Sequence, residues 1–250
     1  MSKTDINVLH IIDSGGMYGA EMMLLNLASE QQRMGLKTFI ASIGERHIGV
    51  KAIERHAEQQ GINVRRFRMR PGPNWVGAAV VLRFARRNHF NLLHSHGYKA
   101  NILFGLLPVR WRGLQLVSTV HGYTSVSHGW SKMGLYEWLD RRVLPRMDAV
   151  VLVNRGMLGH PRLATLDRRR FHVIDNGIAE RLPNRPGPLD DSLASFCDHP
   201  FVIGAIGRLS DEKGFHILID AMARILGCGL PARLVLIGDG RRRTDLARQI

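Results

Sequence analysis

The chain has 250 residues, 45% hydrophobic and 22% charged, a balance that excludes a disordered chain and suits one large domain or two ordinary ones. Its two cysteines, Cys197 and Cys228, form no CxxC spacing, which excludes a disulfide framework and a zinc-thiolate site. No apolar run approaches the ~18 residues of a spanning helix, and the opening MSKTDINVLHII lacks the apolar core and cleavage site of a signal peptide, so a cytoplasmic location is expected.

In chain order, the apolar run at 6–12 reads as a strand, followed by helical spacing over 20–34. A strand over 36–43 enters through Gly35. Then come a helix at 50–61, a strand at 62–67, a helix at 76–88, a strand at 90–96, a helix at 98–107 and a strand at 115–122. A helix at 135–147 and strands at 149–154 and 171–177 complete a first domain over 1–178. This alternation predicts an α/β fold built on a parallel, doubly wound sheet. Residues 179–200 hold four of the ten prolines and read as a linker. Alternation restarts with a strand at 201–207, a helix at 214–226, a strand at 232–240 and a helix opening near 241. Two strands in 201–250 bury too little for a self-sufficient α/β domain, so the second domain is expected to be incomplete and the natural chain to continue.

The formal charge is +14 and comes mainly from arginine. Nucleic acid is not expected as a partner, because no recognition helix, zinc finger or aromatic-interleaved basic motif accompanies the charge. An anionic membrane surface is the alternative partner, with Arg65, Arg66, Arg68, Arg70, Arg83, Arg86 and Arg87 as its candidate face.

In a doubly wound sheet, ligands bind beyond the carboxyl ends of strands. Gly15, Gly16 and Gly19 stand there, in HIIDSGGMYGAE. Glycine permits positive φ and close approach, and the helix that follows offers amides and a positive dipole end to a phosphate. LLHSHG places His94 and His96 at alternate strand positions, one on a sheet face and the other free to differ, and STVHGY delivers His121 at a strand end. No metal site is expected, since HxH has no third carboxylate or cysteine partner in sight. In GRLSDEKGF, Arg208 follows a strand and Lys213 precedes a helix. Two cations at a helix N-terminus oppose its dipole and become sensible if an anion such as a diphosphate lies between.

The segments GGMYGAEMMLLNLA, LLHSHG, VSTVHGY, VIDNGI, GAIGRLSDEKGFHILIDAM and LVLIGDG resemble, in order and context, the retaining GT-B glycosyltransferases, most of all glycosyltransferase family four. The resemblance covers nearly the whole chain and implies a GT-B fold of two Rossmann-like domains, the second cut short here. It implies that Gly15, Gly16 and Gly19 lie near the donor diphosphate and that Arg208 and Lys213 bind it from an opposing wall. His121 would lie near the transferred sugar, and Gly238 and Gly240 in a turn beside the nucleotide. The implied partners are a nucleotide-sugar donor and a glycan or lipid-linked acceptor. The implied reaction is hexosyl transfer with retention, without a cofactor or an obligatory metal, in cell-surface polysaccharide or lipopolysaccharide synthesis. Such an enzyme would be cytoplasmic or peripheral on the inner face of the membrane. The family's Glu-x7-Glu element is absent. Glu212 and Asp220 imitate its spacing but lie across the start of a helix. The alternative function is therefore a truncated, non-catalytic protein that binds an acceptor or partner. A nucleotide-sugar epimerase on the same fold is a third reading.

Overall fold

In the computed structural model the described residues are 6–72, 74–122, 132–161, 163, 167–178 and 190–250. They fall into two units, divided between Glu180 and Arg181.

The first unit is built on β1 (Asn7–Ile12), β2 (Lys37–Glu45), β3 (Val64–Met69), β4 (Leu92–His96), β5 (Gln115–Val120), β6 (Ala149–Leu152) and β7 (Phe171–Val173). All pair in parallel, in the order β3-β2-β1-β4-β5-β6-β7. The helices are α1 (Gly19–Arg33), α2 (Ala52–Gln59), α3 (Trp75–Arg87), α4 (Tyr98–Gly105), the short α5 (Val109–Arg112) and α6 (Lys132–Val143). Because successive side chains of a strand point to opposite faces, the central strands serve two cores. Ile12 and Ile40 pack with Leu24, Leu25, Ile53 and Ala57 of α1 and α2. Leu9, Ile11, Ile43 and Leu93 pack with Val81, Leu82, Leu103, Phe104 and Val143 of α3, α4 and α6. Burial on both faces explains why β1 reads as a largely apolar run with no alternation of polar residues. Phe39 and Phe90, with ring centroids 5.4 Å apart, and Phe67 and Phe84, 5.5 Å apart, meet edge to face within the second core, a favoured aromatic geometry.

The strand order reverses direction between β1 and β4, so the crevice for a ligand is expected at their carboxyl ends. Gly97, with φ of 103°, lies there, between β4 and α4; only glycine adopts this conformation without cost.

The second unit holds α7 (Asp191–Cys197), β8 (Val202–Ile206), α8 (Phe215–Gly227), β9 (Arg233–Ile237) and α9 (Arg243–Gln249), with β8 and β9 parallel. Its core is Leu209, Phe215, Ile219 and Leu246. Ile206 is 80% exposed, and Ile217, Leu230 and Ile237 are also exposed, so much apolar surface of this layer is uncovered. The linker reading of 179–200 needs correction. Residues 190–197 include α7, whose N-terminus is capped by Asp190 Oδ1 accepting from the amides of Ser192 at 3.0 Å and Leu193 at 3.4 Å, a strong helix start. The remainder, 179–189, lies outside the described residues.

Candidate active site at the carboxyl ends of the strands

Beyond β1 the chain turns through Asp13 and Ser14. The Ser14 hydroxyl donates to the Gly16 carbonyl at 2.7 Å and accepts from its amide at 3.3 Å. Glu21 accepts from the Tyr18 amide at 3.1 Å and so fastens the start of α1. The reason for the glycines differs from the sequence expectation. Gly15, Gly16 and Gly19 are not among the positive-φ glycines, so backbone freedom does not explain them. At Gly16 a Cβ would meet the Tyr18 ring at 2.7 Å, whereas at Gly15 and Gly19 it would find nothing within 4 Å. The space above both is open.

Behind this loop, Asp13 joins two lysines. Its Oδ1 is 2.5 Å from Lys51 Nζ and its Oδ2 2.6 Å from Lys99 Nζ. Lys51 is buried and also donates to the Ile43 carbonyl at 2.7 Å. Two ammonium groups against one carboxylate leave a net positive site at the sheet edge, favourable to anions. Sequence reading missed this triad because Asp13 and Lys99 are 86 residues apart along the chain. Lys99 also lines an apolar cavity of about 320 Å³ with Trp75, Leu103, Leu135, Tyr136 and Leu139.

His121 lies one residue past β5, ahead of Gly122 with its φ of 139°. Its Nε2 is 3.3 Å from His96 Nδ1, and His96 Nε2 is 3.0 Å from His10 Nδ1. His10 Nε2 in turn is 2.7 Å from Gln31 Oε1 on α1. His94 pairs through Nε2 with Thr119 Oγ1 at 2.8 Å, and its ring packs on His96 with centroids 4.3 Å apart. His94 and His96 therefore share one sheet face, with His10 opposite His94 on the neighbouring strand. Burial drives the pKa of His10 and of His121 down to about 4, and pushes those of His94 and His96 well below the usual 6.5. All four rings are neutral at pH 7. The third group beside the HxH pair is a histidine and neither a carboxylate nor a cysteine: nitrogens of His10, His94 and His96 lie within 4.8 Å of one another. Two of them already face each other at hydrogen-bond distance. His10 was overlooked because it interrupts an otherwise apolar strand, and that interruption was itself the signal.

On the opposite face, Asn101 accepts from Ser95 at 2.6 Å and Ser118 at 2.8 Å, and donates to Asp140 at 2.7 Å. Burial, opposed by the Asn101 bond and reinforced by Glu137, raises the Asp140 carboxyl to about 7.

In the second unit, Arg208 and Lys213 follow β8, and Gly238 and Gly240 follow β9. Backbone bonds bring the two connections together: Gly207 N to Ile237 O at 3.0 Å, Leu209 N to Asp239 O at 2.9 Å, and Arg242 N to Leu209 O at 3.0 Å. The expectation that Arg208 and Lys213 require an anion is weakened by acidic neighbours. Glu212 Oε1 is 2.6 Å from Arg208 Nη2, while Asp211 pairs with Arg241 and Arg242. The charge at the start of α8 is thus already offset in part. Lys213 is exposed. Asp220 accepts from Gln249 at 2.7 Å, so Glu212 and Asp220 serve separate local contacts.

The candidate membrane face also loses members. Arg66 and Arg68 bind the fully buried Glu54 at 3.2 and 2.7 Å, and Arg86 donates to the Trp111 and Arg112 carbonyls. Burial pushes the Glu54 carboxyl up, but bonds from Ser42 and Arg68 outweigh it and hold the group below its usual 4.5. Glu54→Ala would leave Arg68 without its carboxylate, while Arg66 keeps Glu58 at 2.6 Å, and about 1.5–3 kcal/mol of stability is expected to be lost with the charged hydrogen bonds. A urea unfolding curve checks it, with Glu54→Gln losing less.

Among the described residues, no helix is long and apolar enough to cross a membrane. A protein from Streptomyces kanamyceticus, alpha-D-kanosaminyltransferase, is 25% identical over an alignment of 169 residues that covers 63% of this chain and 43% of that protein. Among solved structures, Anabaena HepE in complex with UDP aligns with a TM-score of 0.73 at 21% identity, over 98% of this chain and 64% of HepE. A point mutant of S. aureus TarM, solved with Fondaparinux, alpha-GlcNAc-glycerol and UDP, aligns at 0.68 with 9% identity, over 98% of this chain and 74% of TarM. These likenesses identify the fold as GT-B. The chain spans less than half of its curated relative and 64% of HepE. The glycosyl transferase 4-like domain matches residues 18–177, well over half the sequence, and the chain belongs to that glycosyltransferase family.

Proposed function

We propose that the protein transfers a hexose from a nucleotide-sugar donor to a glycan or lipid-linked acceptor, with retention at the anomeric carbon. The observation that carries this reading is the open space over Gly15 and Gly19 at the N-terminus of α1, at the β1/β4 switch point. Neither packing nor φ requires glycine at these positions. A diphosphate approaching the amides there gives them a reason, aided by the helix dipole and by Lys51 and Lys99. HepE and TarM both hold UDP in their structures, which supports a uridine nucleotide as the donor's leaving group. His121 would contact the transferred sugar, and Arg208 and Lys213 would take up charge on the departing diphosphate. Gly238 and Gly240 would shape the turn beside the nucleotide. The acceptor's apolar part has a candidate seat in the cavity lined by Trp75, Leu103 and Tyr136. Asp13, the carboxylate that ends β1, is held by two lysines and is poorly placed to act as a nucleophile. In the mechanism we propose, the donor phosphate serves as base, with neither cofactor nor obligatory metal. A role in surface-polysaccharide synthesis at the inner face of the membrane fits an acceptor of this kind.

Gly19→Ala tests the reading. A methyl group there meets no atom and alanine favours helix, so the melting temperature should hold or rise. UDP affinity by calorimetry should fall about tenfold, roughly 1.4 kcal/mol. Unchanged affinity would reduce the loop to an ordinary strand-to-helix turn.

A further inference from the structure

We propose that Gln31, His10 and His96 are positioning residues that lock His121 in its Nε2–H tautomer, leaving Nδ1 as a hydrogen-bond acceptor at the end of β5. The proposal rests on the preceding reading only in taking the β5 end as a ligand site.

The argument begins at Gln31. Its Oε1 faces both His10 Nε2 at 2.7 Å and the Thr38 hydroxyl at 3.2 Å. An amide oxygen only accepts, so His10 must carry its proton on Nε2. A neutral imidazole has one N–H and one lone pair, so His10 Nδ1 is an acceptor. His96 Nε2, 3.0 Å away, is then the donor, and His96 Nδ1 the acceptor. His121 Nε2, at 3.3 Å, donates to it in turn. One side chain on α1 therefore dictates the proton position on a ring two strands away. Burial keeps the rings neutral, with His10 at about 4 and His96 well below 6.5, so the alternation is not broken by a doubly protonated member. The N–H dipoles also align head to tail, and such chains strengthen one another. That makes His121 Nδ1 a better acceptor than an isolated imidazole, suited to a sugar hydroxyl and unsuited to a carbonyl. His94 lies outside the chain, because its partner Thr119 can donate or accept.

A metal ion held by His10, His94 and His96 would compete with this arrangement. It would need lone pairs at both His10 Nδ1 and His96 Nε2, which now share a proton.

The test is the side-chain nitrogen spectrum of the full-length 15N-labelled protein at pH 7.5, read through long-range proton–nitrogen correlations that separate the two tautomers. The wild type should show His10, His96 and His121 all as Nε2–H. Gln31→Glu keeps an acceptor at the head of the chain and should leave all three unchanged. Gln31→Lys replaces the acceptor by a donor and should invert all three to Nδ1–H, an effect that general loosening of the structure would not produce. His121 as Nδ1–H in the wild type, or unmoved by Gln31→Lys while His10 inverts, would overturn the proposal. So would one equivalent of Zn2+ shifting the His10, His94 and His96 signals together. UDP-glucose is then added to the wild type. If the tautomers are as expected but no His121 signal moves, the relay stands and the ligand reading of the β5 end fails.

Discussion

Gly240→Ala is expected to unfold the β8–β9 layer while the seven-stranded sheet stays intact. A Cβ at 240 would sit 2.3 Å from the Leu209 carbonyl oxygen, and one at 238 would sit 1.9 Å from that of Gly207. Both obstacles are backbone, and both belong to the short connection that carries Arg208. No rotamer change relieves them. Relief requires pulling the β9–α9 turn off the β8–α8 turn, which breaks the Leu209–Asp239 and Arg242–Leu209 backbone bonds. Among the described residues the buried core of this unit is Leu209, Phe215, Ile219 and Leu246, with Ala205, Leu218, Leu234 and Leu236 partly buried against it, a small cluster to oppose the separation. The cost should exceed about 4 kcal/mol, the range reserved for severe steric or packing damage. Amide hydrogen exchange is the suitable measurement: protection in Val202–Ile206 and Arg233–Ile237 should vanish, with β1 and β4 unaffected. Gly204→Ala is the control. It lies in β8 with nothing within 4 Å of its Cβ, and should be neutral or slightly stabilising. The two glycines of GDG thus have a structural reason independent of any nucleotide, namely that two strand-end loops touch backbone to backbone.

Backbone contact of that kind leaves no mark in a sequence, whereas layered burial does. Strand and helix alternation was legible because the central strands are buried on both faces and stay short and largely apolar, with His, Ser and Thr as their few polar members. The sheet order was not, since pairing of β1 with β4 depends on where the winding reverses and leaves no local trace. α7 was hidden by the prolines before it, although Asp190 with Ser192 was a visible cap. α5 is a single turn, below what periodicity resolves. The glycine loop was found for a reason that holds only in part: open space is present at Gly15 and Gly19, positive φ is not. Arg208 was read with Lys213 as a pair of cations awaiting an anion, yet Glu212 stood four residues after Arg208, the spacing at which side chains meet on a helical turn. The histidines were taken singly because HxH shows one strand at a time. His10 and Gln31 join them only through tertiary contact, and that contact turns three ordinary imidazoles into an ordered chain.

Acidification from pH 7 toward pH 4 is expected to destabilise the first unit by several kcal/mol, and the histidine layer is the reason. His10 and His121 ionise near 4 in the folded protein against 6.5 in an open chain, and His94 and His96 are displaced in the same direction, burial being the largest cause for all four. Below pH 6.5 the unfolded chain therefore takes up protons that the folded chain refuses. Stability that is full above 6.5 drains away until the folded rings also protonate. For His10 alone, the span from 6.5 to about 4 amounts to about 3 kcal/mol. The rings are adjacent, and a charge on one raises the cost of charging the next, so the four contributions reinforce one another on the same side. Asp140 works the other way. Its folded carboxyl titrates at about 7 against an ordinary 3.8, so it holds a proton in the folded state across that window and gains from acid, by roughly 4 kcal/mol at most. One carboxyl does not offset four imidazoles, and a net loss of several kcal/mol is large beside a total stability of about 5–15 kcal/mol. The urea midpoint should fall steadily from pH 7 to pH 4.5, and a flat profile would contradict the buried neutral layer. Asp140→Asn separates the two opposing effects. It retains the acceptor for Asn101 and removes the charge, so it should raise the midpoint at pH 8, where the wild-type carboxylate is ionised, and leave it almost unchanged at pH 5, where that carboxyl already holds its proton.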